Sequence, residues 1–199
     1  MLSPHEQDPD LTVARLSPLA PLLYKALEVG AIDAHGYFDE RRQRPDQYLF
    51  PCLVRYHAKL VLDGAGHKAE EFEFDRRNIA NNGLELSFGP YRIRILKARQ
   101  GLLPSPGASK AKRHFYHQLV LLDQTIESMN LVILWDHGPT GLAQLQVCRP
   151  ARPFRYDEAP DYLWIRPLKN PALKPATADR ASEVEDLDIR LKQRKREQA

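Results

Sequence analysis

The feature that most constrains the fold is a pair of alternating segments joined by Gly89-Pro90. Residues 84–88 and residues 91–95 each alternate apolar and polar side chains, which is the period-two pattern of a half-buried strand. A two-residue Gly-Pro loop suits a type II′ turn, because glycine accepts the positive φ of the first corner and proline the negative φ of the second. The sequence therefore predicts a β-hairpin over residues 84–96.

The two-residue loop also fixes the register of this hairpin. The predicted cross-strand pairs are Leu84 with Ile95, Leu86 with Ile93 and Phe88 with Tyr91 on one face, and Glu85 with Arg94 and Ser87 with Arg92 on the other. A slip by one residue would move every apolar side chain to the polar face, so the register is strongly specified. We expect the apolar face to be buried and the ion pair of Glu85 with Arg94 to be exposed.

Two helices are predicted before the hairpin. The first begins at Pro18 or Pro21 and runs to Val29, with Gly30 as its stop. The second begins near Asp46 and carries apolar residues at helical spacing, from Leu53 to Val61. Each helix therefore has one apolar face that needs a partner, and a sheet that includes the hairpin would supply it.

After the hairpin, the sequence predicts a third helix and a second pair of strands. The helix runs from Ser109 to about Leu122, and the strands are Leu131–Trp135 and Leu142–Cys148. The first of these strands is continuously apolar, which is typical of a central strand covered on both faces. The predicted fold class is α+β: N-terminal helices packed on an antiparallel sheet of two hairpins, with a helix between the hairpins.

The distribution of apolar and charged residues predicts one domain with two polar ends. Residues 1–12 lack periodicity and are expected to be disordered. Residues 13–168 contain enough apolar side chains for a single core. Residues 169–199 form a charged tail, which would be disordered or would fold on a partner.

Several classes of function lack their motifs in this chain. There is no Walker loop, no Gly-x-Gly-x-x-Gly, no Gly-x-Ser-x-Gly, no His-Glu-x-x-His and no Cys-x-x-Cys, so we expect neither a cofactor nor a metal ion. No apolar run is long enough to cross a membrane, and the N-terminus lacks the pattern of a signal peptide. Cys52 and Cys148 lie in apolar segments, as reduced thiols of a cytoplasmic protein would.

The candidate site is a row of basic side chains on the third helix. Lys110, Arg113, His114 and His117 follow the spacing i, i+3, i+4, i+7, which places them on one helix face. The formal charge of the chain is only +3, so contact with nucleic acid would depend on such local clustering. The predicted interface consists of Arg92, Arg94, Lys110, Arg113, His114, Tyr116 and His117, with Tyr91 as a further aromatic residue that could stack on bases. The alternative is a solvated helix face without a ligand.

Two functional hypotheses follow from this row. The first is a non-enzymatic regulatory protein that binds nucleic acid or an acidic protein partner, as one component of a toxin–antitoxin-like pair would. The second is a metal-independent ribonuclease, in which His114 or His117 would act as general acid or base and Arg92, Arg94 or Arg113 would stabilise the charge of a phosphorane-like transition state. Asp136-His137 lies at the end of the buried strand, a recurrent place for active-site residues, but Asp-His-Gly-Pro is also ordinary turn chemistry, and we favour the turn. A catalyst would need histidine, arginine and a second proton donor to converge, whereas a binding face can be flat.

Overall fold

The computed structural model describes residues 2–3, 5–66, 73–74, 84–98, 102–105, 110–116, 127–138, 141–151 and 161–170. The helices are α1 (Pro9–Leu16), α2 (Ala20–Glu40), α3 (Leu49–Gly66) and α4 (Lys110–Tyr116). The strands are β1 (Glu73–Phe74), β2 (Leu84–Phe88), β3 (Tyr91–Lys97), β4 (Met129–Gly138), β5 (Gly141–Pro150) and β6 (Tyr162–Pro167). The fold is α+β, with a mostly antiparallel sheet.

The hairpin of β2 and β3 has the predicted register. Leu84 pairs with Ile95, Leu86 with Ile93 and Phe88 with Tyr91. Gly89 has a φ of +52°, the positive value that the first corner of the turn requires. Leu86 and Ile93 are fully buried, so the apolar face of the hairpin is part of the core.

The polar face of the hairpin differs from the prediction, because it is covered. Glu85 is only 3% exposed and accepts hydrogen bonds from both Arg92 and Arg94. The Arg94 guanidinium lies over the Phe115 ring of α4, which shields it from water. The ion pair expected at the surface is therefore mostly buried, since a second layer packs on this side of the sheet.

The sheet also differs from the predicted antiparallel sheet, because one of its strand pairs is parallel. The strand order is β1-β2-β3-β4-β5-β6, and β3 pairs with β4 in parallel, with Tyr91 opposite Met129 and Lys97 opposite Trp135. All other neighbouring pairs are antiparallel. A parallel pair needs a crossover connection, and α4 lies within that connection. The helix between the hairpins therefore joins two parallel strands and covers a face of the sheet.

Strand β4 contacts the layers on both faces of the sheet. Residues 131–135 are all buried, which confirms the prediction of a central strand. Leu131, Ile133 and Trp135 belong to the main core with α2 and α3. Val132 and Leu134 belong to a second cluster with Phe115, Tyr116, Leu103 and Cys148. Because consecutive residues of a strand point to opposite faces, the helices form one layer below the sheet and α4 forms another above it.

Helix α2 is longer than the sequence predicts, because Gly30 is not its stop. The helix continues from Ala20 to Glu40, and Gly30 lies inside it. A Cβ atom at Gly30 would lie 2.4 Å from the backbone oxygen of Val54 in α3. Gly30 therefore permits the close approach of two helices. The start of α3 agrees better with the prediction, since the Asp46 carboxylate caps the backbone amides of Tyr48 and Leu49.

The N-terminal residues are more ordered than expected for a frayed end. Asp8 caps α1 by accepting from the backbone amides of Asp10 and Leu11, and Leu2 is buried in the core. At the other end of the domain, Tyr162–Pro167 forms the edge strand β6. The predicted tail beyond residue 170, and the predicted continuation of the third helix beyond Tyr116, lie outside the described residues. Within the described residues, no helix is long and apolar enough to cross a membrane.

Candidate nucleic-acid interface

Helix α4 is held on the sheet by its two aromatic residues. Phe115 and Tyr116 are both buried in the second cluster. The backbone oxygen of Phe115 accepts a hydrogen bond from Asn130 Nδ2 in β4 at 3.0 Å, and the Tyr116 hydroxyl donates to the backbone oxygen of Pro104 at 2.9 Å. The end of this short helix is therefore fixed to both the central strand and the loop that precedes it.

Three basic side chains of α4 lie on its solvent side. Lys110, Arg113 and His114 are exposed, whereas the next two residues are buried. We call Lys110, Arg113 and His114 the α4 basic face. The fourth predicted member of the row, His117, lies outside the described residues.

Arg92 and Arg94 lie on the same side of the sheet as α4, but both interact with one carboxylate. Arg94 donates from Nε to Glu85 Oε2 at 2.6 Å, and its guanidinium carbon is 4.3 Å from the centre of the Phe115 ring. Its side chain is 13% exposed, compared with 46% for Arg92. One carboxylate neutralises one of the two positive charges, so this pair of arginines adds a single net charge beside the α4 basic face, and Arg92 is the more accessible of the two.

The two tyrosines proposed for base stacking are buried. Tyr91 is 1% exposed and belongs to the main core, while Tyr116 is 2% exposed on the opposite side of the sheet. Burial raises the pKa of the Tyr116 hydroxyl, with a further contribution from the nearby Cys148. Neither ring presents a face to solvent, because each fills the core between the sheet and a helical layer. The described part of the interface is therefore made of cations.

A second group of ionisable side chains converges on the other face of the sheet. The rings of His35 in α2 and His137 in β4 are 5.1 Å apart, and the Phe50 ring at the start of α3 is 4.8 Å from His35 and 5.7 Å from His137. Lys97 Nζ, at the end of β3, is 5.5 Å from the centre of the Phe50 ring. We call His35, Phe50, Lys97 and His137 the histidine cluster.

Burial and neighbouring positive charge lower the pKa of His137. Desolvation has the largest effect, followed by repulsion from His35 and Lys97, while the Asp136 carboxylate acts in the opposite direction. Asp136 Oδ1 accepts a hydrogen bond from the His137 backbone amide at 2.9 Å. The pairing of β4 with β5 shifts between these two residues, which is the irregularity that a β-bulge produces.

The sequence favours a turn at Asp136-His137 and predicts no role for His35. β4 extends to Gly138, so both residues are within a strand. The signal present in the sequence was the position of His137 directly after a fully buried strand. The partner at position 35 lacks a local signal, because it is about a hundred positions away and on a helix.

The two cysteines are free. Burial raises the pKa of the Cys148 thiol to about 12, so this side chain is a protonated core residue. Among the described residues, no group of three or more histidine, cysteine, aspartate or glutamate side chains could hold a metal ion. No family model, curated protein or solved structure matches the chain.

Proposed function

We propose that the protein binds nucleic acid through the α4 basic face, with Arg92 at its margin. The observation that carries the proposal is the orientation of α4: its two aromatic residues are buried, and Lys110, Arg113 and His114 are exposed. Cations held on one fixed element are suited to contact phosphates without selecting a base sequence.

The dimensions of the α4 basic face match a short stretch of nucleic acid backbone. Lys110 and His114 are separated by one helical turn, or about 6 Å along the axis. Phosphates on one strand of a duplex advance by about 3.4 Å each, so the face would contact about two of them. Arg92 would extend the contact onto the sheet. Because the slope of log affinity against log salt grows with the number of phosphates contacted, binding through so few phosphates is expected to show a shallow dependence on salt.

The same contacts give less support to the ribonuclease alternative. Arg92 shares the Glu85 carboxylate with Arg94, which diminishes its value as an electrophilic group. The Tyr116 hydroxyl is buried and donates to Pro104, so it is not available as a proton donor. A flat binding face does not need these groups to converge. The regulatory or toxin–antitoxin-like context remains a prediction from the sequence.

The proposal is tested by reversing charge on α4. We expect Lys110→Glu with Arg113→Glu to abolish binding of RNA and DNA oligonucleotides, measured by fluorescence anisotropy, with an unchanged melting temperature. In the parent, each contacted phosphate should add about −0.7 to the slope of log affinity against log salt on single strands and about −0.9 on duplex DNA.

The control is the double variant Lys25→Glu with Lys169→Glu. Both residues are exposed, and the change in net charge is the same, but neither residue is on α4. This variant should bind nearly as well as the parent, with a small loss from the general field of the protein. Equal losses in the two variants would contradict a localised site. If the parent binds neither RNA nor DNA, and a co-purified acidic protein is lost only from the α4 variant, the ligand is a protein instead.

A further inference from the structure

The histidine cluster lies where two parallel strands end. β3 and β4 run in the same direction, so Lys97 and His137 reach the same edge of the sheet. The edge is bordered by His35 from α2 and by Phe50 from the first turn of α3. In open α/β sheets, ligands bind outside the carboxyl ends of the parallel strands. The histidine cluster has the corresponding position at the one parallel pair of the described strands.

The chemistry of the cluster favours an anion. Three elements contribute a side chain that is positively charged or can become so: His35, Lys97 and His137. Packing alone would be achieved by apolar side chains, without the cost of desolvating two imidazoles beside an ammonium group. The side chains of His35, Lys97 and His137 are each partly exposed, so a ligand can reach them from solvent.

Three carboxylates lie close to members of the cluster in the chain, and two of them accept hydrogen bonds from backbone amides. Asp136 is the neighbouring carboxylate on β4, and it accepts a hydrogen bond from the backbone of His137. Asp46 precedes α3 and is engaged by the backbone amides of Tyr48 and Leu49. Asp39 is exposed, one turn beyond His35 on α2. From β5, the residue opposite His137 is the apolar Leu142.

We propose that the histidine cluster binds the phosphate group of a small ligand, with His35, Lys97 and His137 as donors to its oxygens and the Phe50 ring as the wall behind them. A dianion bound beside the two imidazoles would offset the positive charge around His137 and would raise the pKa of His137. The site lies on the opposite face of the sheet from α4, so it is separate from the proposed nucleic-acid interface.

The direct test follows the histidine ring protons of the full chain by NMR during titration with inorganic phosphate. We expect saturable shifts of His35 and His137, together with a rise in the pKa of His137. His57 serves as the internal reference, because its Nδ1 is already 3.3 Å from the Asp33 carboxylate and it lies outside the cluster. Shifts of all three histidines in parallel would indicate an effect of ionic strength and would overturn the proposal.

Variants assign the donors. Lys97→Met keeps an unbranched side chain at this position but removes the ammonium group that lies near Phe50 and Trp135, and it should weaken phosphate binding by at least about tenfold, the effect of one charge-assisted hydrogen bond. His137→Asn should abolish the phosphate-dependent shift of His35. Thermal unfolding establishes that each variant is folded. Undiminished binding by folded Lys97→Met and His137→Asn proteins would overturn the proposal.

The source of the phosphate is identified by comparing a nucleoside monophosphate with single strands that carry or lack a 5′-phosphate. Saturable shifts with the mononucleotide assign a small molecule as the ligand. Shifts only with the 5′-phosphorylated strand would replace the small molecule with a nucleic acid end. Lys110→Glu with Arg113→Glu should leave the mononucleotide titration unchanged, so a failure of this site is distinguishable from a failure of the α4 interface.

Discussion

The guanidinium carbon of Arg94 lies 4.3 Å from the centre of the Phe115 ring, and this contact joins α4 to the hairpin. On its other side, Arg94 bonds to the buried carboxylate of Glu85. An interaction between a cation and an aromatic face contributes about 0.5–2 kcal/mol, more when both groups are shielded from water. Arg94 is therefore part of the attachment of the upper layer to the sheet.

The first prediction compares the two arginines that share Glu85. We expect Arg94→Ala to lower the free energy of unfolding by about 2 kcal/mol, because it removes a charge-assisted bond to a buried carboxylate and the contact with Phe115. Arg92→Ala should cost less than about 1 kcal/mol, since its side chain is half exposed. Urea unfolding of both variants provides the measurement. An equal loss of unfolding free energy in the two variants would show that burial of Arg94 against Phe115 does not add to its stabilising effect.

The second prediction concerns two glycines of the same helix. Gly30→Ala should destabilise the protein by about 1–3 kcal/mol, because the new methyl group meets the Val54 backbone oxygen and α3 must move. Gly36→Ala introduces the same methyl group into open space and should stabilise the protein by about 0.5–1 kcal/mol through helix propensity. Denaturant midpoints with unchanged m-values would measure both effects. A stabilising Gly30→Ala would mean that α2 and α3 pack less closely than described.

The third prediction is a pH dependence that arises from His137. Its pKa is lowered in the folded state, mainly by burial and then by His35 and Lys97. Below the ordinary value of about 6.5, the unfolded state therefore binds a proton more readily than the folded state does, and stability falls as the pH falls. We expect His137→Asn to lose less stability than the parent between about pH 7.5 and about pH 5.5.

The free energy of unfolding is measured by chemical denaturation at both pH values. The buffer is free of phosphate, so that the proposed ligand does not raise the pKa of His137. His114→Asn is the control, because His114 is exposed on α4, on the opposite face of the sheet. That variant should follow the parent at both pH values. A parent and a His137→Asn protein with the same pH profile would contradict the described environment of His137.

The parts of the fold that the sequence predicts are those determined by neighbours in the chain. The register of β2 with β3 follows from alternation on both sides of a two-residue loop, and both strands are contiguous with it. The burial of residues 131–135 follows in the same way from a continuous apolar run. In both cases the hydrophobic pattern of a short segment predicts the structure of that same segment, so no contact with a distant part of the chain has to be known.

The features that the sequence did not predict depend on contacts between distant segments. Gly30 is the residue type that commonly ends a helix, but here it lies inside α2, where the close backbone of Val54 leaves no room for a side chain. Glu85 alternates like an exposed residue and is buried because α4 covers it. In the candidate sites, the exposure of Lys110 follows from helical spacing, whereas the approach of His35 to His137 requires the whole sheet to be assembled.

The parallel pairing of β3 with β4 has a consequence for the order of folding. Only two residues separate β2 from β3 and β4 from β5 in the chain, so each pair can form early at a small entropic cost. The connection from residue 98 to residue 128 must close before these two hairpins meet, and only then does β4 acquire both neighbours. Long-range pairing of this kind slows folding. The pairing of β3 with β4, which begins at Tyr91 and Met129, joins two halves of the sheet that form locally. We expect this joining to limit the rate at which the chain reaches its native state.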